Sequence, residues 1–418
     1  MHRKIRWALE ALMHVLFLAP DTHTYNHQFI RALKVLGVQV SAIGQKPKDQ
    51  LSEAVRPLLD RYETVSNITD GQCVVAAAEQ LARNTTFDRV ETIDEPLVIP
   101  AAMVRERLSI PGLSVHTAKL CRDKVAMKEF LRSHGVPCAQ SAGARSASDV
   151  RVFAERVGYP LILKPIAGYG TLNTHRANHS AQLDEILQKT QIDEHAQLAV
   201  EEFIDGHEGF YDTITEKNGI RHDFAAHYYP CCLEASIERR VAPQIAVTNR
   251  IEQDGYRELR ALGSKVIAAL GLHHTATHME WFQGSKGIKF SEIGARPAGE
   301  KIWDLYRFAN EFDVFLEWAL AILDRPTQQK PSRRFATGSV QIRPDRDGKF
   351  AEHQGIDAAW QRCRPFIYEY EVPEPGTDTK PLDKGWLCNT WFRLRHEDYD
   401  QLRALMTFLG ETVRSKAR

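Results

Sequence analysis

Two glutamates, Glu280 and Glu292, are spaced so that they can face each other across a β-hairpin. His278–Phe282 and Ile288–Ile293 each alternate in polarity and flank Gln283–Gly287 with its two glycines, which reads as strand, turn, strand. A loop of Ser285, Lys286 and Gly287, with Gly287 left-handed, sets Gly284 opposite Ile288 and Glu280 opposite Glu292. Directly opposed residues have Cβ atoms about 4.5–5.5 Å apart, where like charges repel unless a cation lies between them. Two hard oxygen donors at that spacing suit Mg²⁺, which keeps water ligands and adds phosphate oxygens from a nucleotide. Two glutamates on a solvated face would show the same pattern, and a one-residue slip would part them.

Other residues extend this chemistry. Lys164 closes the apolar run from Tyr159 and precedes the glycine-bearing turn Pro165–Thr171, placing a cation beside backbone N–H groups that can approach a polyphosphate. Glu201–Glu208 puts a carboxylate at each end of a strand and turn, an arrangement that can address a nucleoside through backbone groups and, at Glu208, vicinal hydroxyls. Arg296 lies just past the hairpin, where its planar fork suits a phosphoryl or carboxylate group; the structural alternative is an ion pair with one of the two glutamates. Alternation puts Phe290 on the face of Glu292, able to pack on adenine, and His278 on the face of Glu280. His273, His274 and His278 do not read as a metal cluster, because His273 points to the opposite face and no cysteine is near.

These residues need a scaffold. From Val15 to about Pro111, apolar runs alternate with amphipathic stretches: Val15–Leu18 with helix Asn26–Leu36, Val38–Ile43 with helix Lys48–Leu59, then Val74–Arg83. That alternation implies a small parallel sheet covered on both faces. The first strand is followed by Pro20–Tyr25 rather than a Gly-rich dinucleotide fingerprint, and neither a phosphate-loop nor a His-Glu-x-x-His motif occurs. Helices are expected over Ala118–His134, Ser148–Val157, Ala181–Lys189, Gly255–Leu270, Asp304–Ala321 and Asp398–Arg414, and strands over Tyr159–Lys164, Ala199–Ile204, Thr337–Ile342 and Leu387–Leu394. A chain of 418 residues suggests two to four domains. Lys+Arg and Asp+Glu balance at 54 each, so net charge points to neither nucleic acid nor an anionic membrane. Seven cysteines without zinc or redox spacing read as reduced thiols. Glu10 and His14 interrupt the apolar stretch near the N-terminus, so no signal peptide is expected, a cytoplasmic location follows, and residues 1–12 read as an extension.

In order and spacing, Arg122-Asp-Lys124, Lys164 with Gly168-Tyr-Gly170, Glu201–Glu208, Glu280 and Glu292-Ile-Gly-Ala-Arg296 resemble the ATP-grasp superfamily of ligases, nearest to its amino-acid (dipeptide) ligase and biotin carboxylase-like branch. The resemblance implies a mixed α/β and α+β architecture. A Rossmann-like pre-ATP-grasp domain would span 13–116, an ATP-grasp domain 117–325 with a lid at about 159–206, and a small C-terminal α+β domain 333–418. It implies that Lys124 and Lys164 bind the phosphates of ATP under a loop containing Gly168, Gly170 and Thr171. Glu201, Glu202 and Ile204 would line the adenine site and Glu208 would meet the ribose. Glu280 and Glu292 would hold Mg²⁺, for which Mn²⁺ can substitute, and Arg296 would contact the reacting phosphate or carboxylate. Gly294 departs from the asparagine of many relatives, so that ligand role passes to water, substrate or another side chain.

The implied reaction joins a carboxylate to an amine through an acyl phosphate, releasing ADP and phosphate. Its substrates would be small molecules, amino acids foremost, with no nucleic acid or membrane partner; a homodimer is compatible with the resemblance. Glu300 is a candidate base for the amine, or a glutamate that opens a helix. A biotin carboxylase-like activity is the nearest rival, since Glu300 falls where that group carries a catalytic glutamate. Against it, Glu238-Arg-Arg240 lacks the fuller basic motif and no biotin-carrier segment is present. A regulatory protein that binds ATP without turnover is the alternative from another class.

Overall fold

The computed structural model describes residues 13–168, 171–190, 192, 197–299, 301–382 and 388–418. Residues 1–12, Tyr169, Gly170, Glu300 and Leu387, all named above, lie outside the described residues.

The apolar runs His14–Leu18 and Gln39–Gly44 form the centre of a four-stranded parallel sheet ordered Arg61–Thr64, Gln39–Gly44, His14–Leu18, Arg89–Glu91. Helices such as Asn26–Val35 and Gly71–Ala82 accompany it. The helix expected over Lys48–Leu59 is instead two short 3₁₀ turns, Lys48–Gln50 and Arg56–Leu58. Pro57 has no N–H to donate, which is enough to stop an α-helix there.

Two expected helices are each broken in two. Val115–Leu120 and Lys124–Ser133 replace the single helix over Ala118–His134. Asp123 leaves the helical conformation, and its carboxylate accepts from the N–H groups of Val125 and Ala126 at 3.0 Å, so Lys124 becomes the first residue of a new helix. Likewise Ile302–Asn310 and Val314–Ile322 are divided by left-handed Glu311 and by Asp313, which caps Leu316 N–H at 3.1 Å.

Strands Ser141–Ala144, Leu198–Glu202, Leu161–Pro165 and His175–Ala177 form an antiparallel sheet that carries helices Ala147–Val157 and Ser180–Thr190. Most of the segment of about 159–206 falls in this unit, whose first strand starts at Ser141. The largest sheet has eight strands in the order Gly287–Gly294, Ala276–Gly284, Gly206–Glu216, Gly219–Tyr229, Gln244–Val247, Ala336–Ile342, Thr390–His396, Ile367–Glu371, with neighbours antiparallel. Its last three strands come from beyond residue 333, so a single sheet joins the C-terminal region to the central one. Helix Arg257–Leu270 packs Leu259, Leu262 and Val266 with Tyr211, Met279 and Trp281 of the sheet. A second core joins Phe210 and Phe224 of the same sheet to Trp303, Phe315 and Trp318, and through Phe29 to the N-terminal sheet. Among the described residues no helix is long and apolar enough to cross a membrane.

Candidate functional site

Glu280 does stand opposite Glu292, but by a different route from the one the turn suggested. The loop is only Ser285 and Lys286, with Gly284 opposite Gly287 at φ +80°, and that register alone would set Glu280 against Ser291. A bulge between Glu280 and Trp281 takes up Ser291 as an extra residue and restores the glutamate pair. The same bulge reverses the alternation. Phe290 pairs with Trp281 and is fully buried in the cluster holding Met279, Trp281 and Ile293, so the expected contact of its ring with adenine on the face of Glu292 is not met. Phe282, on the face of Glu280 and opposite Glu208, is the half-buried aromatic residue there.

Cations converge on this pair from two elements. Lys124, aimed by the cap at Asp123, reaches Glu292 Oε2 at 3.2 Å and donates to Gly168 O at 2.7 Å. Lys164, near the end of strand Leu161–Pro165, sits 3.9 Å from Glu292 Oε2 and 3.1 Å from Glu201 Oε2. Burial works against the charge of Lys164, but Glu201 and Glu292 outweigh it and hold its pKa above the usual lysine value. Burial also opposes the charge of Glu292, yet Lys124, Lys164 and Lys128 together pull its carboxyl down to about 2. Glu280 moves the opposite way, raised first by burial and then by the charge of Glu292.

Lys128 was not anticipated. It is completely buried, 2.5 Å from Glu201 Oε1, and burial drags its pKa down to about 8 against the pull of Glu201. The sequence holds a clue, since Lys128 lies one turn after Lys124, beside Met127 and before Leu131 on the buried side of the helix. The carboxylate of Glu201 is therefore occupied by two lysines. The carboxylate of Glu202 is held by Lys289 at 2.5 Å and Gln140 at 3.1 Å, and Ile204 is half-buried just past the strand. Glu208 is buried on the face of Glu280, accepts from Cys232 N–H at 2.6 Å, and is pushed up to about 8 by burial and by Glu280. Thr171 heads a turn, its carbonyl accepting from Thr174 N–H at 3.1 Å.

Arg296 is in an ion pair, though with neither hairpin glutamate. Its Nε donates to Glu95 Oε2 at 2.6 Å and its Nη1 to Pro297 O at 2.7 Å. Arg122 holds the other oxygen of Glu95 at 2.6 Å and donates to Ala167 O at 3.0 Å, tying the N-terminal domain to the turn after Lys164. This arrangement accounts for Gly294: a Cβ there would stand 2.8 Å from Glu95 Oε2, so the space next to the second glutamate is filled from the N-terminal domain. With both oxygens held by arginines, Glu95 serves as an anchor for them rather than as a metal ligand. Asp212, also unanticipated, joins His278 Nδ1 at 2.7 Å and accepts from Tyr306 Oη at 2.6 Å, leaving His278 Nε2 4.0 Å from Glu280 Oε1. His273 and His274 line a different cavity. Tyr228, Trp281 and Trp303 are buried in the cores.

The donor set fits a hard divalent cation. Glu280 and Glu292 are opposed carboxylates whose mutual repulsion such an ion would relieve. Among the described residues no group of three or more His, Cys, Asp or Glu side chains converges, so the remaining ligands would be water and phosphate oxygens, as Mg²⁺ prefers.

Residues 123–299 match the family model for the ATP-binding domain of the carbamoyl-phosphate synthase L chain. Among curated proteins, the chain is 24% identical over 353 residues to an uncharacterised protein of Sinorhizobium fredii, covering 82% of this chain and 71% of that one. It is 26% identical over 232 residues to the alanine–anticapsin ligase of Bacillus subtilis, covering 50% of this chain and 48% of the ligase, so the alignment spans about half of that relative. The fold matches the crystal structure of L-amino acid ligase from Bacillus licheniformis with a TM-score of 0.74 at 17% identity, covering 97% of this chain and 99% of that one. It also matches N5-carboxyaminoimidazole ribonucleotide synthetase from Thermotoga maritima, with a TM-score of 0.71 at 14% identity, covering 97% and 100%. Residues 123–299 are thus similar to a nucleotide-binding domain, and the chain as a whole has the fold of these ligases.

Proposed function

We propose that this protein is an ADP-forming carboxylate–amine ligase that makes an amide or peptide bond between small molecules, amino acids foremost. The observation that carries this reading is the convergence of Lys124 and Lys164 on Glu292, directly across from Glu280. Without nucleotide the two ammonium groups neutralise carboxylates. A triphosphate tail would give them a stronger partner and free the two carboxylates from the lysines. Glu280 and Glu292 would hold Mg²⁺, which when bound neutralises phosphoryl oxygens.

A substrate carboxylate oxygen attacks the γ-phosphorus of ATP, the bond to the β-phosphate oxygen breaks, and ADP leaves. The amine nitrogen then attacks the acyl carbon, phosphate departs with the bonding electrons, and the nitrogen loses its extra proton. Lys124 and Lys164 would fix the phosphates, with the segment around Gly168, Gly170 and Thr171 covering them. Arg296, oriented by Glu95 and Pro297 O, offers its remaining amino group to the acyl phosphate oxygens. Glu202, Ile204 and Phe282 would border the base, with Glu201 positioning Lys164. The buried setting of Glu208 favours a place beside the metal carboxylates over one on the ribose. Glu300 is the proposed base for the amine.

The test is phosphate release from ATP over pairwise mixtures of amino acids and other small carboxylates. At least one pair should stimulate release, and Lys164→Ala and Glu292→Ala should abolish it while leaving the fold intact by circular dichroism. Release that depends on bicarbonate and biotin alone would assign a carboxylase, and near-normal turnover in either variant would contradict the site.

A further inference from the structure

A cavity of about 280 Å³ lies between the N-terminal sheet and the eight-stranded sheet, lined in part by Arg89, Glu91, Thr92, Arg105, Lys217 and Ala295. His273, His274, Thr275 and Asp324 complete its polar lining. The cationic side chains are incompletely matched. Arg89 donates Nε to Ile322 O at 2.6 Å and Nη1 to Asp88 O at 2.8 Å, both neutral acceptors. Arg105 donates to Val90 O and stands 3.9 Å from Glu91 Oε1, beyond hydrogen-bond length. Two guanidinium groups thus share one buried carboxylate. Around the whole lining Arg89, Arg105 and Lys217 face the two carboxylates Glu91 and Asp324.

The inner pair is deeply placed, the side chains of Arg105 and Glu91 being 11% and 7% exposed. Burial lowers the pKa of Arg105, opposed by Glu91 and aided by Arg89. Burial raises Glu91 to about 7 in spite of both arginines. Gly112 closes against the arginine: a Cβ there would lie 2.8 Å from Arg105 Cδ and Nε, and its φ of +143° suits glycine. The stem of Arg105 is therefore held against main chain at the wall of the cavity.

We propose that this cavity binds a small oxyanion, phosphate or carboxylate, held by Arg105 and Arg89 with Lys217 at the mouth, at a site separate from the nucleotide cleft. Guanidinium forks match the oxygens of either group, and the anion supplies the counter-charge that one distant carboxylate does not. It would bridge the domains, since the arginines belong to the N-terminal domain and Lys217 to the turn between Gly206–Glu216 and Gly219–Tyr229. Thr92 and Ala295 also lie close in sequence to Glu95 and Arg296, so an occupant braces the two segments that carry that ion pair.

The experiment is thermal unfolding of the full chain, titrated separately with inorganic phosphate and with succinate at constant ionic strength, a readout that needs no turnover and is independent of the proposed ligase reaction. A saturable rise in Tm is expected with at least one anion, and the one that acts identifies the ligand chemistry. Arg105→Gln should weaken the apparent affinity roughly tenfold, the worth of one charge-assisted hydrogen bond. Lys217→Glu, on an exposed turn, should weaken it severalfold, and Lys164→Ala, in the nucleotide cleft, should leave it in place. No saturable shift with either anion would overturn the proposal. So would a shift that vanishes in Lys164→Ala or survives unchanged in Lys217→Glu. If Arg105→Gln fails to fold, Lys217→Glu decides.

Discussion

Adding a single methyl group at Gly294 tests whether the N-terminal domain completes the site. A Cβ at that position would lie 2.8 Å from Glu95 Oε2 and 3.7 Å from Arg296 Cγ and Nε. The carboxylate cannot swing aside freely, because one oxygen accepts Arg296 Nε at 2.6 Å and the other Arg122 Nη1 at 2.6 Å. A hydrogen bond between charged groups contributes about 1.5–3 kcal/mol, so Gly294→Ala should cost about 2–3 kcal/mol by loosening the pair at Arg296. Glu95→Ala leaves two buried arginines uncompensated and should cost roughly 3–5 kcal/mol by itself, but it removes the obstacle to the methyl. The double variant should then be no less stable than Glu95→Ala, which makes the coupling energy of the cycle about 2–3 kcal/mol. Equilibrium urea unfolding of the four proteins measures it, with phosphate release as a second readout. Additivity to within about 0.5 kcal/mol would refute the reasoning, since it would mean that the carboxylate does not occupy the space in front of Gly294.

Asp123→Ala should lower stability by about 0.5–2 kcal/mol through loss of the helix cap and raise the KM for ATP by releasing Lys124, whereas Asp123→Asn should restore most of both. Lys128→Met leaves Glu201 to Lys164 alone. It should draw that lysine away from Glu292, seen as weaker ATP binding by calorimetry, and unchanged affinity would remove Lys128 from the site. Glu91 gives a pH signature. Its folded value of about 7 lies above the ordinary 4.5, so between these pH values the folded state keeps a proton that the unfolded state has lost. The native state is therefore penalised as pH rises through this window, by roughly 3 kcal/mol once the window is passed. Glu91→Gln should flatten the urea stability profile between pH 5 and 8, and a profile parallel to that of the parent would contradict the burial argument.

The parts of the fold that were legible are those in which one element's own pattern decides its fate. His14–Leu18 and Gln39–Gly44 are buried along nearly their whole length, and the sequence shows that as the apolar run Val15–Leu18 and as apolar residues interrupted by Ser41 in the second strand. Arg61–Thr64 is an edge strand of exposed and half-buried residues with no such pattern, and Arg89–Glu91 is too short to have one. The breaks in the helices at Asp123 and Asp313 were legible in principle, because an aspartate that can cap the following turn competes with helix continuation. Periodicity alone passed through both.

The hairpin shows how far local reasoning reaches into a site. The loop was read one residue too long, and the bulge adds one residue to the opposite strand, so the two shifts cancel at Glu280 and Glu292. They do not cancel between the bulge and the loop, which is why Phe290 falls in the core while Glu292 faces the lysines. The need to bring two carboxylates together was thus a sounder guide to register than the turn chemistry. It identified the pair without fixing the path between them. Glu95 lay beyond any such guide, because its partners Arg122 and Arg296 come from different segments and its fit against Gly294 exists only once the domains are packed. Gly294 is a trace of that packing in the sequence: an absent side chain marks the space that a distant residue fills.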